Sequence, residues 1–143
     1  PETVAESVLR GVVAAAGVPV AVHCCAAAPP VALLHRAGAA ALSLDLTLLG
    51  PDSDEGLGEA AEAGVVLMAG VVAAADTTMS DPAATVEPVR RVWHRLGLPP
   101  ESLATGVVVT PTCGLAGASP GHARAALRHA RAAGQVLVDD PEG

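Results

Sequence analysis

Aromatic residues are almost absent from this 143-residue chain, which has no Phe and no Tyr and carries Trp93 as its only aromatic side chain. Lys is also absent, so eight Arg face fifteen acidic residues and the net charge is −7. Proteins usually bind single-stranded nucleic acid by stacking its bases on aromatic rings, and they bind duplexes through a basic face. The composition therefore argues against nucleic acid as a partner.

Long apolar runs are missing as well, although 51% of the residues are hydrophobic. Pro or Gly interrupts each candidate run within about ten residues, whereas a membrane helix needs roughly 20. The N-terminal segment lacks the basic and then apolar pattern of a signal peptide. Three cysteines, an odd number, argue against a disulfide framework and are typical of a reducing compartment. We expect a cytoplasmic protein with no membrane partner.

The residues that are present alternate between strand-like and helix-like patterns. Continuous apolar runs predict four buried parallel strands, at residues 18–24, 39–46, 65–72 and 106–113. Helical spacing and turn residues predict five helical segments, at residues 1–17, 29–38, 59–64, 83–97 and 119–134. The first should begin with a capping box from Thr3 to Glu6, and the last should begin at Ser119 and end at Gly134. The order is thus βα repeated four times, with one extra helix in front.

Four βα units form either half of a (β/α)8 barrel or a small open doubly wound sheet. The half barrel is favoured because the chemistry-bearing residues follow the ends of different strands, where barrel active sites lie. The length agrees, since a complete barrel takes about 250 residues. No Gly-rich fingerprint follows the first strand, which weakens a dinucleotide-binding alternative. We predict an α/β fold of TIM-barrel type, with residues 1–143 forming one half of the barrel.

A candidate metal site follows the first strand in the stretch His-Cys-Cys. Alternate strand residues share a face, so His23 and Cys25 should point to one side and Cys24 to the other. Asp45 and Cys113 sit at the ends of the second and fourth strands, and the ends of parallel strands meet at one edge of the sheet. One imidazole, two thiolates and a carboxylate suit Zn²⁺. The alternative is that the cysteines are ordinary small buried residues, as we expect for Cys24.

The other four histidines, at positions 35, 94, 122 and 129, lie on predicted helices beside Arg residues. We expect them to face solvent or to interact with the negative ends of helix dipoles. They are not candidate metal ligands.

Four stretches resemble the C-terminal part of the cobalamin-independent methionine synthase family: VHCCA, AALSLD, ADTTMSDPAATVEPVRRV and VVVTPTCGLAGASPGHARAAL. The similarity extends from about residue 18 to residue 133. It implies a zinc-bearing (β/α)8 barrel that transfers a methyl group from a methyltetrahydrofolate to homocysteine. The family's zinc ligands then correspond to His23, Cys25 and Cys113, with Asp45 in place of a Glu. A shorter relative could use a methyl-corrinoid as donor.

Two departures from the family pattern support an alternative function. Asp45 is one methylene shorter than the family's Glu, and Thr78 stands where the family has a His that is thought to donate a proton. The alternative is a non-catalytic domain whose zinc site is structural or a relic. The resemblance also implies a missing N-terminal half barrel. Because open sheet edges associate, we expect such a half, or a second copy, to pair with this chain.

Overall fold

The structure is a computed structural model that describes all 143 residues. Its four strands are β1 (Ala21–Cys24), β2 (Ala41–Asp45), β3 (Val66–Val72) and β4 (Val107–Pro111). Its helices are α1 (Glu2–Ala15), α2 (Val31–Arg36), α3 (Asp54–Glu62), α4 (Pro82–Arg95), the single turn α5 (Leu103–Gly106) and α6 (Pro120–Asp139). Short 3-10 turns precede α3 and α5, at Pro51–Ser53 and Pro100–Ser102. The predicted alternation of strands and helices is confirmed.

The four strands form one parallel sheet in the order β1-β2-β3-β4. A doubly wound sheet reverses its strand order and carries helices on both faces. This sheet does neither, because its order follows the chain and its helices cover one face. The mixed α/β fold with a singly wound parallel sheet is therefore established.

Side-chain burial identifies the covered face of the sheet. Leu42 and Leu44 of β2, and Leu67 and Ala69 of β3, are almost completely buried and belong to the cluster that includes the apolar sides of the helices. The alternate residues of β2, and Val66 and Met68 of β3, are only half-buried, and Val108 of β4 is 47% exposed. We call this second side of the sheet the open face. The core therefore lies entirely between the sheet and its helices.

Three predicted helix boundaries are wrong. The capping box is absent: α1 begins at Glu2, without a side-chain cap, and Glu6 pairs instead with Arg10 and Arg36. Those ion pairs occupy the carboxylate that a capping box would need.

Gly134 does not end α6, which continues to Asp139. The extension buries Leu137 to 2% exposure, in line with the buried residues Ala126, Ala130 and Ala133. A Cβ at Gly134 would lie 3.9 Å from the Val109 side chain. Gly134 is therefore an interior residue of α6, and the space between α6 and Val109 would also accommodate an alanine. The Ser119 cap is confirmed, since its side chain accepts a hydrogen bond from the His122 backbone N–H.

Helix α3 begins at Asp54, five residues before the predicted segment 59–64, inside a stretch rich in Gly, Asp and Pro. Leu57 and Ala60 lie on one face of α3 and are both buried. Gly56 permits close approach of α2, since a Cβ there would lie 3.1 Å from the Ala32 backbone nitrogen. Tertiary packing thus overrides the low helix propensity of glycine. None of the helices is long and apolar enough to cross a membrane.

Candidate metal centre

The alternation of β1 places its side chains as the sequence predicts. His23 is exposed on the open face, whereas Cys24 is partly buried and packs against the core on the helix side. Cys25 directly follows the strand and is exposed. The expectation that Cys24 packs between strand and helix is confirmed.

Three of the four predicted ligands lie together. The ligating atoms of His23, Cys25 and Cys113 are all within 4.8 Å of one another, and all three residues are exposed. The Cys113 thiol donates a weak hydrogen bond to Cys25 Sγ, with 3.7 Å between the two sulfur atoms. These residues form the candidate metal centre.

The contact between the two cysteines joins opposite edges of the sheet. Neighbouring strands lie about 4.8 Å apart, so a flat sheet would hold β1 and β4 about 14 Å from each other. The segments that follow the two edge strands must therefore converge above the open face. This convergence brings together residues that are 88 positions apart in the chain.

Asp45 does not join the three ligands. Its Oδ1 accepts hydrogen bonds from the Thr47 backbone N–H at 2.9 Å and from the Thr47 hydroxyl at 2.6 Å. The turn after β2 thus engages the carboxylate locally, as short acidic side chains often do at strand ends. The cluster therefore contains one imidazole and two thiols, and no carboxylate.

Ser43 is a site residue that the sequence analysis missed. It is directly opposite His23 in the parallel register, and its hydroxyl lies 2.9 Å from His23 Nδ1. This hydrogen bond fixes the ring and leaves Nε2 as the nitrogen available to a metal. The only sequence signal was the position of Ser43 two residues before Asp45, on the same face of β2.

The Cys113 thiol influences the ionisation of Cys25. The pKa of Cys25 is raised above its ordinary value, chiefly by its hydrogen bond with Cys113 and then by the repulsion that a second negative charge would meet there. A positive charge beside the two sulfur atoms would favour the thiolate form of Cys25. A divalent metal supplies that charge.

A carboxylate also fixes the segment that follows Cys113. Asp76, in the loop after β3, accepts a hydrogen bond from the Ser119 backbone N–H at 2.7 Å and another from the Ser119 hydroxyl. These bonds lower the pKa of Asp76, with a smaller contribution from the nearby His122. The loops after β3 and β4 are thereby tied to the N-terminus of α6.

Two of the other histidines differ from the expectation that they face solvent. His122 is 8% exposed, and its Nε2 is bonded to the Ala73 carbonyl at 3.0 Å. His129 Nε2 lies 2.7 Å from the hydroxyl of the buried Thr85. Both histidines therefore connect α6 to neighbouring elements. His94 is exposed in the last turn of α4, as expected.

No family model, curated protein or solved structure matches this chain.

Proposed function

We propose that this chain is the zinc-bearing half of a methyltransferase barrel of the cobalamin-independent methionine synthase type. It would transfer a methyl group to the thiol of homocysteine from a methyltetrahydrofolate or a methyl-corrinoid. The observation that carries the proposal is the convergence of His23, Cys25 and Cys113 from opposite edges of the sheet. The resemblance described above supplies the reaction and the substrates.

The residues present fit zinc. Two thiolates at about 2.3 Å from one tetrahedral zinc ion are about 3.75 Å apart. The Sγ atoms of Cys25 and Cys113 lie 3.7 Å apart, so they already have the spacing that a zinc ion requires. The donor set of one imidazole and two thiolates also belongs to the preferred ligands of zinc.

The chemistry of such a site depends on its open position. Three protein ligands and one free position are typical of catalytic rather than structural zinc. Bound there, zinc would lower the pKa of a substrate thiol and hold the thiol as a nucleophilic thiolate. Ser43 orients His23, and all three ligands are exposed at the carboxyl ends of their strands, where a small thiol can reach them.

Asp45 has a defined place in this proposal. To act as fourth ligand in the absence of substrate, its carboxylate would have to move towards the other three residues, and the two hydrogen bonds from Thr47 to Oδ1 oppose this movement. The substrate thiol meets no such competition. We therefore assign the fourth position to the substrate sulfur and treat Asp45 as a ligand that substrate displaces.

In the alternative function, the domain binds zinc but does not catalyse methyl transfer. Thr78 is exposed in the loop after β3 and has no imidazole with which to donate a proton. The engagement of Asp45 by Thr47 also favours a three-ligand relic. In this second candidate, zinc would be bound without accepting a sulfur ligand from solution.

Barrel closure forms part of the proposal. A singly wound parallel sheet with helices on one face is the arrangement of a (β/α)8 barrel segment, and the open face would be its interior. The chain has five helices of more than one turn for four strands. Two copies would bring ten such helices to a barrel that has eight outer positions. An N-terminal half with four strands and three helices is therefore the better complement.

Metal analysis tests the proposed site. The purified chain should hold about one zinc per copy, the Cys25→Ser and Cys113→Ser variants should lose it, and Cys24→Ala should retain it. Zinc content that is unchanged in both serine variants would overturn the assignment.

Substrate binding separates the two candidate functions. Cobalt placed in the site should change its visible spectrum when homocysteine is added, because a third sulfur becomes a ligand. A spectrum that homocysteine does not change would favour the non-catalytic domain.

A further inference from the structure

The Cys25 and Cys113 thiols also have the arrangement of an oxidisable pair. Their sulfur atoms lie 3.7 Å apart, and both side chains are exposed. The sulfur atoms of a disulfide lie about 2.05 Å apart, so closure requires an approach of about 1.7 Å. Cys25 follows the last residue of β1, and Cys113 lies two residues beyond the end of β4. Rotations of side chains in these turn segments can supply the approach without breaking the pairing of strands.

We propose that Cys25 and Cys113 form a thiol–disulfide exchange site that takes low-molecular-weight disulfides of the glutathione type and closes to an intramolecular disulfide. The exchange itself requires no metal. Its consequence for zinc rests on the proposed function, since both processes use the same two sulfur atoms.

The exchange proceeds in two balanced steps. One cysteine thiolate attacks a sulfur of the small disulfide, whose S–S bond breaks and releases one small thiolate with the electron pair. The second cysteine, as thiolate, then attacks the protein sulfur of this mixed disulfide and expels the second small thiolate. The two protons lost by the cysteines end on the two small thiols. The protein pair is oxidised by two electrons, and the small disulfide is reduced by two.

The third cysteine is excluded from this pair by its orientation. Cys24 points from β1 into the helix side, where it packs against the core, whereas Cys25 belongs to the group on the open face. Reactivity follows exposure and access, and a partly buried thiol that packs against the core reacts less readily than an exposed one. The exchange should therefore select Cys25 and Cys113 and leave Cys24 reduced.

Zinc and the disulfide exclude each other. Thiolates on one zinc ion stay about 3.75 Å apart, whereas bonded sulfur atoms are at about 2.05 Å and no longer carry negative charge. Oxidation would therefore remove two of the three ligands at once. Metal binding would in turn protect both thiols from exchange.

The test uses the full chain, freed of metal by a chelator and treated with oxidised glutathione. The three free thiols should fall to one, the intact mass should decrease by two hydrogen atoms, and digestion should yield a peptide that joins Cys25 to Cys113. The Cys24→Ala control should close in the same way, with its two thiols falling to none. The Cys113→Ser variant should stop at a glutathione adduct on Cys25.

Three outcomes would overturn the exchange site: stable glutathione adducts on the wild-type chain, a bond between Cys24 and Cys25, or a disulfide between two chains. A separate arm adds zinc to the reduced and oxidised forms. The reduced form should bind zinc and the oxidised form should not. A reduced form that does not bind zinc would contradict the proposed function, while the mass and peptide results would still decide the exchange site.

Discussion

Replacing Gly70 by Ala should damage both the fold and the metal centre. Gly70 lies in β3, beside Asp45 of β2, where the pairing with β4 is irregular. A Cβ there would lie 2.7 Å from the Leu44 carbonyl oxygen and 2.9 Å from Thr112 Cα. One contact is with the backbone of β2 and the other is with the backbone that follows β4, on the other side of β3. Rotation of a side chain can therefore relieve neither contact.

The expected cost follows from these distances. Ordinary van der Waals contact begins near 3.4 Å, so β2 and the segment after β4 must each shift by about half an ångström or more. Overpacking of a core costs about 1–3 kcal/mol, and rigid backbone neighbours place this substitution near the upper end. We expect a loss of about 3 kcal/mol, which lowers the melting temperature by roughly 10 °C.

The same shift should weaken zinc binding. Thr112 directly precedes Cys113, so displacement of Thr112 moves Cys113 Sγ relative to Cys25 Sγ. Loss of support around a metal site typically costs 10–100-fold in affinity, and we expect at least a tenfold increase in the zinc dissociation constant.

Gly58→Ala is the matched control. Gly58 lies inside α3, with no atom within 4 Å of its added Cβ, and Ala in a helix interior is favoured over Gly by about 0.5–1 kcal/mol. Urea unfolding of both variants and zinc titration measure the two effects. A Gly70→Ala protein with wild-type stability and wild-type zinc affinity would refute the reasoning.

Four further outcomes are expected. Ser43→Ala should weaken zinc binding about tenfold in a zinc titration, since His23 loses the partner that orients its ring; an unchanged affinity would mean that the hydrogen bond does not position the ligand. Cys24→Ala should cost about 1 kcal/mol in urea unfolding, since it removes a small packed group; loss of metal from this variant would contradict the orientation of β1. Asp76→Asn should be less stable than wild type at pH 7. The pKa of Asp76 is lowered in the folded protein, so its carboxylate stabilises the fold at pH values above the ordinary carboxyl pKa near 4. This stabilisation is lost as the pH falls through the lowered pKa. The unfolding midpoints of wild type and Asp76→Asn should therefore differ at pH 7 and become similar at pH 3. Equal midpoints at pH 7 would mean that the bonds with Ser119 do not stabilise the fold. The isolated chain should self-associate in sedimentation experiments, because its open face and both sheet edges lack partners; a strictly monomeric chain at high concentration would argue against the half barrel.

Several features of the fold could be predicted because they depend on local patterns. Continuous apolar runs located all four strands, and turn residues located most of the helix boundaries. The errors occurred where distant residues decide. Arg36 engages the carboxylate of Glu6, Val109 lies against Gly134, and Ala32 lies against Gly56. Glu6 and Gly56 thus serve contacts with other elements, and α6 continues past Gly134 because Leu137 packs in the core.

The sequence by itself determined which residues can act as ligands and which side of β1 each one faces, because strand alternation is a property of the local backbone. Only the tertiary structure decided which ligands meet. The contact of Cys25 with Cys113 spans 88 residues and depends on how the segments after both edge strands converge. The role of Ser43 depends on the register between β1 and β2, and the diversion of Asp45 depends on the turn that follows it. These relations are set by the summed packing of sheet and helices, which no single stretch of the chain encodes.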